Sequence, residues 1–339
     1  MVAAVSTLRF VPEHAIAGIP NVVVDGSPNA DTVLTLSHWP GSPTPPELRD
    51  DLSAQIAFRA LSEPERFAGV EAVTNNHFDQ DGIVSAFALL WPALALPRRE
   101  LLIDVARAGD FGTFASREAA RIAMILAALD DDVMSPVPAQ SLAAPYPQRC
   151  GSLYQWALPQ FAEIVDRPQE WRHLWGDEDA HLTRSIEAIA DGAVRVTEHR
   201  DVDLAVVTVP AEWAPRTTHR FTRVESSTLH PMAINNATEC LRVAVVQGSR
   251  YHLELRYESW VMLVSRPVLP RPDLRMLAAE LDTLEPGSAR WRAGAPGALT
   301  PRLELFDGHE SGLTPEAFLL HVRRFLEVAP PAWDPFTAT

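Results

Sequence analysis

Lysine is missing from this chain: all 29 basic residues among its 339 are arginines. That absence excludes every chemistry built on a lysine amine, including pyridoxal phosphate and aldolase Schiff bases, and it excludes a Walker-type phosphate loop. Cysteine is nearly missing too. Cys150 and Cys240 are the two cysteines, too few for a disulfide framework or a cysteine zinc site, and they fit a reducing compartment. Neither Gly-x-Gly-x-x-Gly nor Gly-x-Ser-x-Gly occurs, which argues against a dinucleotide site and a hydrolase nucleophile elbow. No apolar run approaches the ~20 residues of a membrane span, and the stretch from Met1 to Pro12 has no basic segment leading into a long apolar one. The expectation is a cytoplasmic protein with no membrane partner.

Positive charge is also scarce. Against 44 acidic residues the arginines leave a net charge of −15, so extended nucleic acid is not an expected partner and small substrates are favoured, although a local arginine cluster could still hold an anion. A homodimer is allowed. With 47% hydrophobic residues over 339 positions, about two domains are expected.

The first part alternates short β-type runs with longer helical ones, the signature of an α/β layer with parallel strands. Val22–Val24, Thr32–Leu36 and Val70–Thr74 are expected strands. Glu47–Leu61, Gly82–Leu90 and Ala115–Leu129 have helical spacing, as do Tyr154–Asp166 and Glu170–Ala190. Glu100–Ala106 reads as a strand or a helix end, the acid run Asp130–Asp132 as solvated loop, and residues 131–150, with four prolines, as an exposed connection. From Val194 the texture turns to β, with Val202–Val209, Leu241–Val246 and Tyr251–Val264 as strands and helices at Asp273–Leu284 and Pro315–Val328. These runs predict a parallel-sheet α/β domain over 1–195 and a smaller mixed α/β domain over 196–339.

The richest segment is His77-Phe-Asp-Gln-Asp-Gly82, which puts an imidazole and two carboxylates at alternate positions just beyond a strand. In an extended chain they share one face, roughly 6.6 Å apart from one to the next. That spacing is too wide for one ion without curling, whereas two ions about 3.5–4 Å apart could share Asp81 and take His77 and Asp79 separately. Ligands of open α/β sheets gather at such carboxyl strand ends. Imidazole with carboxylate suits Mn²⁺ best, in one or two copies, with Mg²⁺, Fe²⁺ or Zn²⁺ also compatible. The same loop can equally be read as Asp81 capping the helix while Asn75 and Asn76 serve the turn.

Thr74-Asn-Asn-His-Phe-Asp-Gln-Asp-Gly-Ile-Val-Ser85 resembles the first motif of the DHH phosphoesterase superfamily, a His-x-Asp-x-Asp that ends a parallel strand and leads into a helix. The resemblance implies a DHH-type first domain, a pair of manganese ions, and His77, Asp79 and Asp81 as ligands. Asp110, in Ala108-Gly-Asp-Phe, is similar in placement to the aspartate that bridges the metals there, and so enters as a ligand and a catalytic residue. The Asp-His-His triplet and the Gly-Gly-Gly-His loop of many members do not occur here. As a whole the chain also resembles an uncharacterised bacterial family of unknown function, which implies no reaction.

His38, just past the expected strand Thr32–Leu36, would emerge at the same sheet edge and is a candidate extra ligand or general acid. It could equally be packed beside Trp39. His173 and His181 flank an acidic stretch and read as surface residues. In the second domain His230, Asn235 and Asn236 either face a ligand or stitch their own loop. Arg256 shares a strand face with Glu258 and Trp260 and, with Arg266 and Arg271 nearby, could clamp a phosphate or carboxylate. Asp307-Gly-His-Glu310 reads as a turn. The function expected is a metal-dependent hydrolase, specifically a phosphoesterase using metal-activated water on a small anionic substrate. A hydrolase of another bond, an inactive DHH-like binding or regulatory protein, and a metal-free interaction protein remain open beside it.

Overall fold

The computed structural model describes residues 8–286, 288–306 and 310–337; most of the turn expected at 307–310 lies outside them. The chain forms two compact units, one of residues 1–180 with 217–226, the other of 181–216 with 227–339. The first division falls inside a helix, about 15 residues before the expected boundary at 195, and a short hairpin returns to the first unit.

The first unit is built from β1 (Arg9–Phe10), β2 (Asn21–Val24), β3 (Thr32–Leu36), α1 (Ser53–Ala60), β4 (Ala72–Thr74), α2 (Gln80–Leu90), α3 (Pro92–Ala95), α4 (Arg99–Asp110), α5 (Arg117–Ala128), α6 (Ala139–Leu142), α7 (Tyr146–Ala157), α8 (Phe161–Asp166) and most of α9 (Arg172–Ala190). Its sheet is fully parallel, in the order β1-β4-β2-β3. Strand β2, Asn-Val-Val-Val, is buried at every position, as a strand covered on both faces must be. Helix α2 is likewise buried at every residue, so it runs through the core rather than along the surface. No single helix among the described residues is long and apolar enough to cross a membrane; the apolar stretch from α2 to α4 bends by 116°, with Trp91, Leu94 and Leu96 exposed at the bend.

The second unit holds the end of α9, then β5 (Arg195–His199), β6 (Leu204–Val209), α10 (Pro231–Ala237), β9 (Arg242–Gln247), β10 (Arg250–Leu255), α11 (Leu274–Leu284), β11 (Trp291–Ala293), β12 (Arg302–Leu305) and α12 (Pro315–Val328), interrupted after β6 by a hairpin of β7 (Arg216–Arg220) and β8 (Arg223–Ser227). Most of the hairpin, residues 217–226, belongs to the first unit. The six-stranded sheet β11-β12-β10-β9-β6-β5 is mixed, parallel only at β6–β9. Alternation along β6, β9 and β10 sends Leu204, Val206, Ala244, Leu253 and Leu255 against Leu277, Leu281, Phe318 and Val322 of α11 and α12. Asp273 and Thr314 cap those helices through Arg275 N and Ala317 N.

Five expectations need correction. Glu100–Ala106 is helical throughout, because Leu102, Val105, Ala106 and Gly109 fall at i, i+3, i+4 and i+7 and are buried. Residues 131–150 are largely exposed, as expected, but they are not without helix: Pro138 and Pro145 precede α6 and α7, and Pro147 sits in the first turn of α7, where its missing N–H costs nothing. The strand expected at Tyr251–Val264 stops at Leu255, where the chain turns through a single 3₁₀ turn at Tyr257–Ser259. Asp131 is buried rather than solvated, accepting from Val133 N and Met134 N, and His181 is buried where a surface residue was expected; His173 is exposed.

Candidate metal centre

Three adjacent strands, β4, β2 and β3, deliver chemistry to one carboxyl edge. Asp25 follows β2 directly, His38 comes two residues after β3, and His77, Asp79 and Asp81 lie on the path from β4 into α2. Asp110 arrives from the last residue of α4. Two groups form. Donor atoms of Asp25, His38, Asp81 and Asp110 lie within 4.8 Å of one another, and so do those of Asp25, His77 and Asp79. Asp25, on the central strand, is common to both.

The backbone serves this arrangement at strain. Asp25 has a φ of 46°, in the left-handed region that a non-glycine residue adopts only when its surroundings enforce it. Its N–H donates to Leu36 O at 2.9 Å, locking the ends of β2 and β3 together. Asp79, not Asp81, is the N-cap of α2: its Oδ1 accepts from Gly82 N at 2.8 Å while its Oδ2 lies 2.9 Å from His77 Nε2. The cap expected at Asp81 falls to Asp79 instead, and the same side chain also reaches His77 in the cluster. Asp81 is drawn the other way, accepting from Ser53 N at 2.7 Å and Ala54 N at 2.6 Å at the start of α1, where it meets the positive end of that helix. Because the helix begins at Gln80, the extended spacing over 77–81 does not hold, and Asp25 takes the shared position expected for Asp81. A Cβ on Gly82 would overlap Asn75 Nδ2 and the Tyr154 hydroxyl, so only glycine lets α2 start this close to the β4 loop.

Both imidazoles are oriented from behind. His38 Nδ1 is 2.5 Å from Asp51 O, so the carbonyl fixes the proton on Nδ1. His38 Nε2 then faces Asp110 at 3.4 Å, Asp25 at 3.5 Å and Asp81 at 3.9 Å with a lone pair. His77 Nδ1 meets Asn76 Oδ1 at 2.9 Å, and its Nε2 lies 3.3 Å from Asp25. The His77 ring packs beside Trp39 at 5.0 Å between centroids. Of the six side chains His77 is the most open, at 21% against 9% or less for the others, so access to the cluster runs past His77 and Asp79.

The electrostatics are unbalanced. Burial pushes Asp81 and Asp110 well above the ordinary carboxylate range, neighbouring carboxylates add to that, and Asp79 is raised as well. Burial would also raise Asp25, but His77, His38 and the Ser53 hydroxyl outweigh it and hold the group low. His77 is held well above the usual imidazole range: burial opposes its charge, and Asp79 and Asp25 overcome that. Burial wins at His38, which falls below the usual range and presents a neutral ring. No arginine pairs with these four carboxylates among the described residues. Among the described residues, both oxygens of Asp110, and Oδ2 of Asp25, are buried without a well-formed hydrogen bond. Buried carboxylates elsewhere in this unit are served, as Asp104 is by Ala115 N, Ser116 N and the Ser116 hydroxyl. Orphaned carboxylate oxygens facing a neutral imidazole are the donor set of a hard to borderline divalent cation.

Every residue expected to ligate a metal, His77, Asp79, Asp81 and Asp110, is therefore in the cluster, and His38 joins them. Sequence reasoning missed Asp25. Its signal was an acid followed by glycine at the end of a buried Val-Val-Val strand, which is a strand-end position of the kind that carries sites. The residues expected to bind substrate lie in the second unit, where four of their side chains hold backbone groups. His230 caps α10, accepting from Met232 N at 3.1 Å. Asn236 donates to Met232 O, and Asn235 O accepts from Arg256. Arg256 is buried in an ion pair with Glu258 and donates to Thr238 O at 2.9 Å, so its guanidinium staples backbone carbonyls and does not form the expected anion clamp. Arg271 does the same for Ala298 and Leu299, and Arg266 donates to Glu239 O.

The model of a family described as a family of unknown function, DUF6687, matches residues 6–337. No curated protein and no solved structure matches the chain.

Proposed function

We propose that this chain, which belongs to the DUF6687 family, is a divalent-metal-dependent hydrolase, most specifically a phosphoesterase acting on a small anionic substrate. The observation that carries the reading is the pair of buried donor groups joined at Asp25, whose carboxylates have no arginine partner among the described residues. Asp25, His38, Asp81 and Asp110 would hold one ion, and Asp25, His77 and Asp79 a second, with Mn²⁺ the best match to carboxylate with imidazole. Such a pair supplies Lewis acidity, lowering the pKa of a water toward neutrality and screening the charge of the group attacked. The resemblance of His77-x-Asp-x-Asp81 to the DHH first motif supports the same reading. Without an Asp-His-His triplet, His38, Asp25 and Asp110 supply the remaining donors.

The chain's own residues do the rest. Asp51 O keeps the His38 proton on Nδ1, so this histidine serves as a ligand with Nε2 rather than as the general acid. Ser53 N and Ala54 N hold both Asp81 oxygens in place, leaving each with a further lone pair. Ser53 Oγ, 2.8 Å from Asp25 Oδ1, fixes one Asp25 oxygen and leaves the other toward His77. His77 and Trp39 line the open side. The test is turnover of p-nitrophenyl phosphate and bis(p-nitrophenyl) phosphate with added Mn²⁺. Asp79→Asn should lower the rate by on the order of a hundredfold or more. A wild type that holds stoichiometric metal yet leaves every phosphoester intact would overturn the phosphoesterase reading in favour of a binding protein or a hydrolase of another bond.

A further inference from the structure

A seventh side chain reaches this part of the fold. Arg220, at the end of β7, is 93% buried, its relative exposure being 7%. Nη1 donates to the backbone carbonyl of Asp110 at 3.4 Å, and the guanidinium lies over the Phe221 ring at 4.4 Å. Nη2 is buried with no hydrogen-bond partner among the described residues. A buried guanidinium with one arm of its fork unpaired is costly, and the usual resolution is an anion that completes it.

The hairpin that carries Arg220 is held rigidly. His219 sits between Glu178, 2.6 Å from Nδ1, and Asp131, 3.2 Å from Nε2. Thr222 Oγ1 donates to Asp130 at 3.2 Å, and Phe221 O accepts from Gln80 Nε2 at 3.3 Å. Phe221, with a φ of 54°, takes the left-handed conformation directly after the arginine. Such strain in a bulky residue is retained where its surroundings over-determine it, often at ligand clamps.

We infer that Arg220 is the anchor for the anionic group of the substrate, a terminal oxyanion of phosphate type, bound beside Asp110. The inference rests on the proposed metal centre, and charge balance links the two. Four carboxylates neutralise two divalent ions, the two imidazoles are neutral ligands, and Arg220 then leaves the site with one net positive charge for an anion. With a single divalent ion the balance is negative and an anion is repelled. Phosphate affinity should therefore depend both on Arg220 and on full metal loading.

The test is titration of inorganic phosphate into the full chain by calorimetry, with metal content measured on the same samples. Wild type loaded with Mn²⁺ should bind phosphate, and EDTA-treated wild type should not. Arg220→Met and Arg220→Lys should keep the Mn²⁺ stoichiometry, with phosphate affinity reduced on the order of tenfold or more in Arg220→Met and partly restored by added guanidinium ion. Arg220→Lys, which keeps the charge, serves if Arg220→Met does not fold. Full metal with phosphate affinity within about twofold of wild type in a folded variant would overturn the inference and make Arg220 a cap on the end of α4. Full metal with no phosphate binding in wild type would overturn it as well. Failure of wild type to take up metal would instead remove the metal centre itself, and the inference with it.

Discussion

Asp104 and Asp110 both lie on α4 and both are buried, yet their surroundings are opposite. Asp104 receives two backbone N–H groups and a hydroxyl from the start of α5, whereas neither oxygen of Asp110 has a donor among the described residues. Asp104→Asn should therefore cost about 1–3 kcal/mol of stability and leave Mn²⁺ binding intact. In EDTA, Asp110→Asn should leave stability unchanged or raised, because burial and neighbouring carboxylates already oppose its charge, and it should weaken metal binding. Thermal melts of the two variants with EDTA and with Mn²⁺ decide the matter; equal losses in EDTA would mean that Asp110 is a structural residue. At this scale the sequence was half legible. His77, Asp79 and Asp81 were readable because their relation is local. Asp25 was not, because a lone acid after a strand joins the cluster only when β2 lies between β3 and β4, and that order is a tertiary fact. Arg256 misled for the converse reason: a strand-face pattern continued on paper past Leu255, where the backbone turns and buries the guanidinium.

Among the elements, α2 and the β7–β8 hairpin carry the site and can be tested separately. Gly82→Ala forces a Cβ against Asn75 and Tyr154 at the first turn of α2. It should destabilise the fold by about 1–3 kcal/mol and weaken Mn²⁺ binding, since Asp79 accepts from Gly82 N; isothermal titration on the folded fraction would show the second effect. The hairpin depends on His219. Burial disfavours the charged ring, but Glu178 and Asp131 outweigh this and raise its pKa above the ordinary imidazole value. Folding thus favours the protonated form. The stabilisation is complete below the unfolded pKa of about 6.5 and is lost as pH rises through the higher folded value. The Tm difference between wild type and His219→Gln should shrink from pH 6 to pH 9, and a constant difference would contradict the assignment. Helices α2, α5, α11 and α12 were legible as stretches of helical length and apolar character. Helix α4 was ambiguous because Leu-Leu-Ile with Val105 also satisfies a short buried strand.

For the whole molecule, class was legible and division less so. Short buried strands alternating with helices announced the parallel sheet, and the β-rich second part announced the mixed one. Composition could not announce that the hairpin at 217–226 belongs to the first unit, since that depends on His219 and Thr222 finding Asp131 and Asp130 far back in the chain. Metal bound only by the folded state should stabilise the protein as a whole, by about 2.7 kcal/mol at a hundred times the dissociation constant. A melting temperature indifferent to Mn²⁺ at saturating concentration would count against the centre. The most direct measurement is elemental analysis of purified protein incubated with Mn²⁺ and freed of excess, with wild type beside Asp25→Asn, the residue common to both donor groups. The account predicts two equivalents in wild type and fewer than one in the variant. No metal in wild type, or undiminished metal in Asp25→Asn, would contradict it.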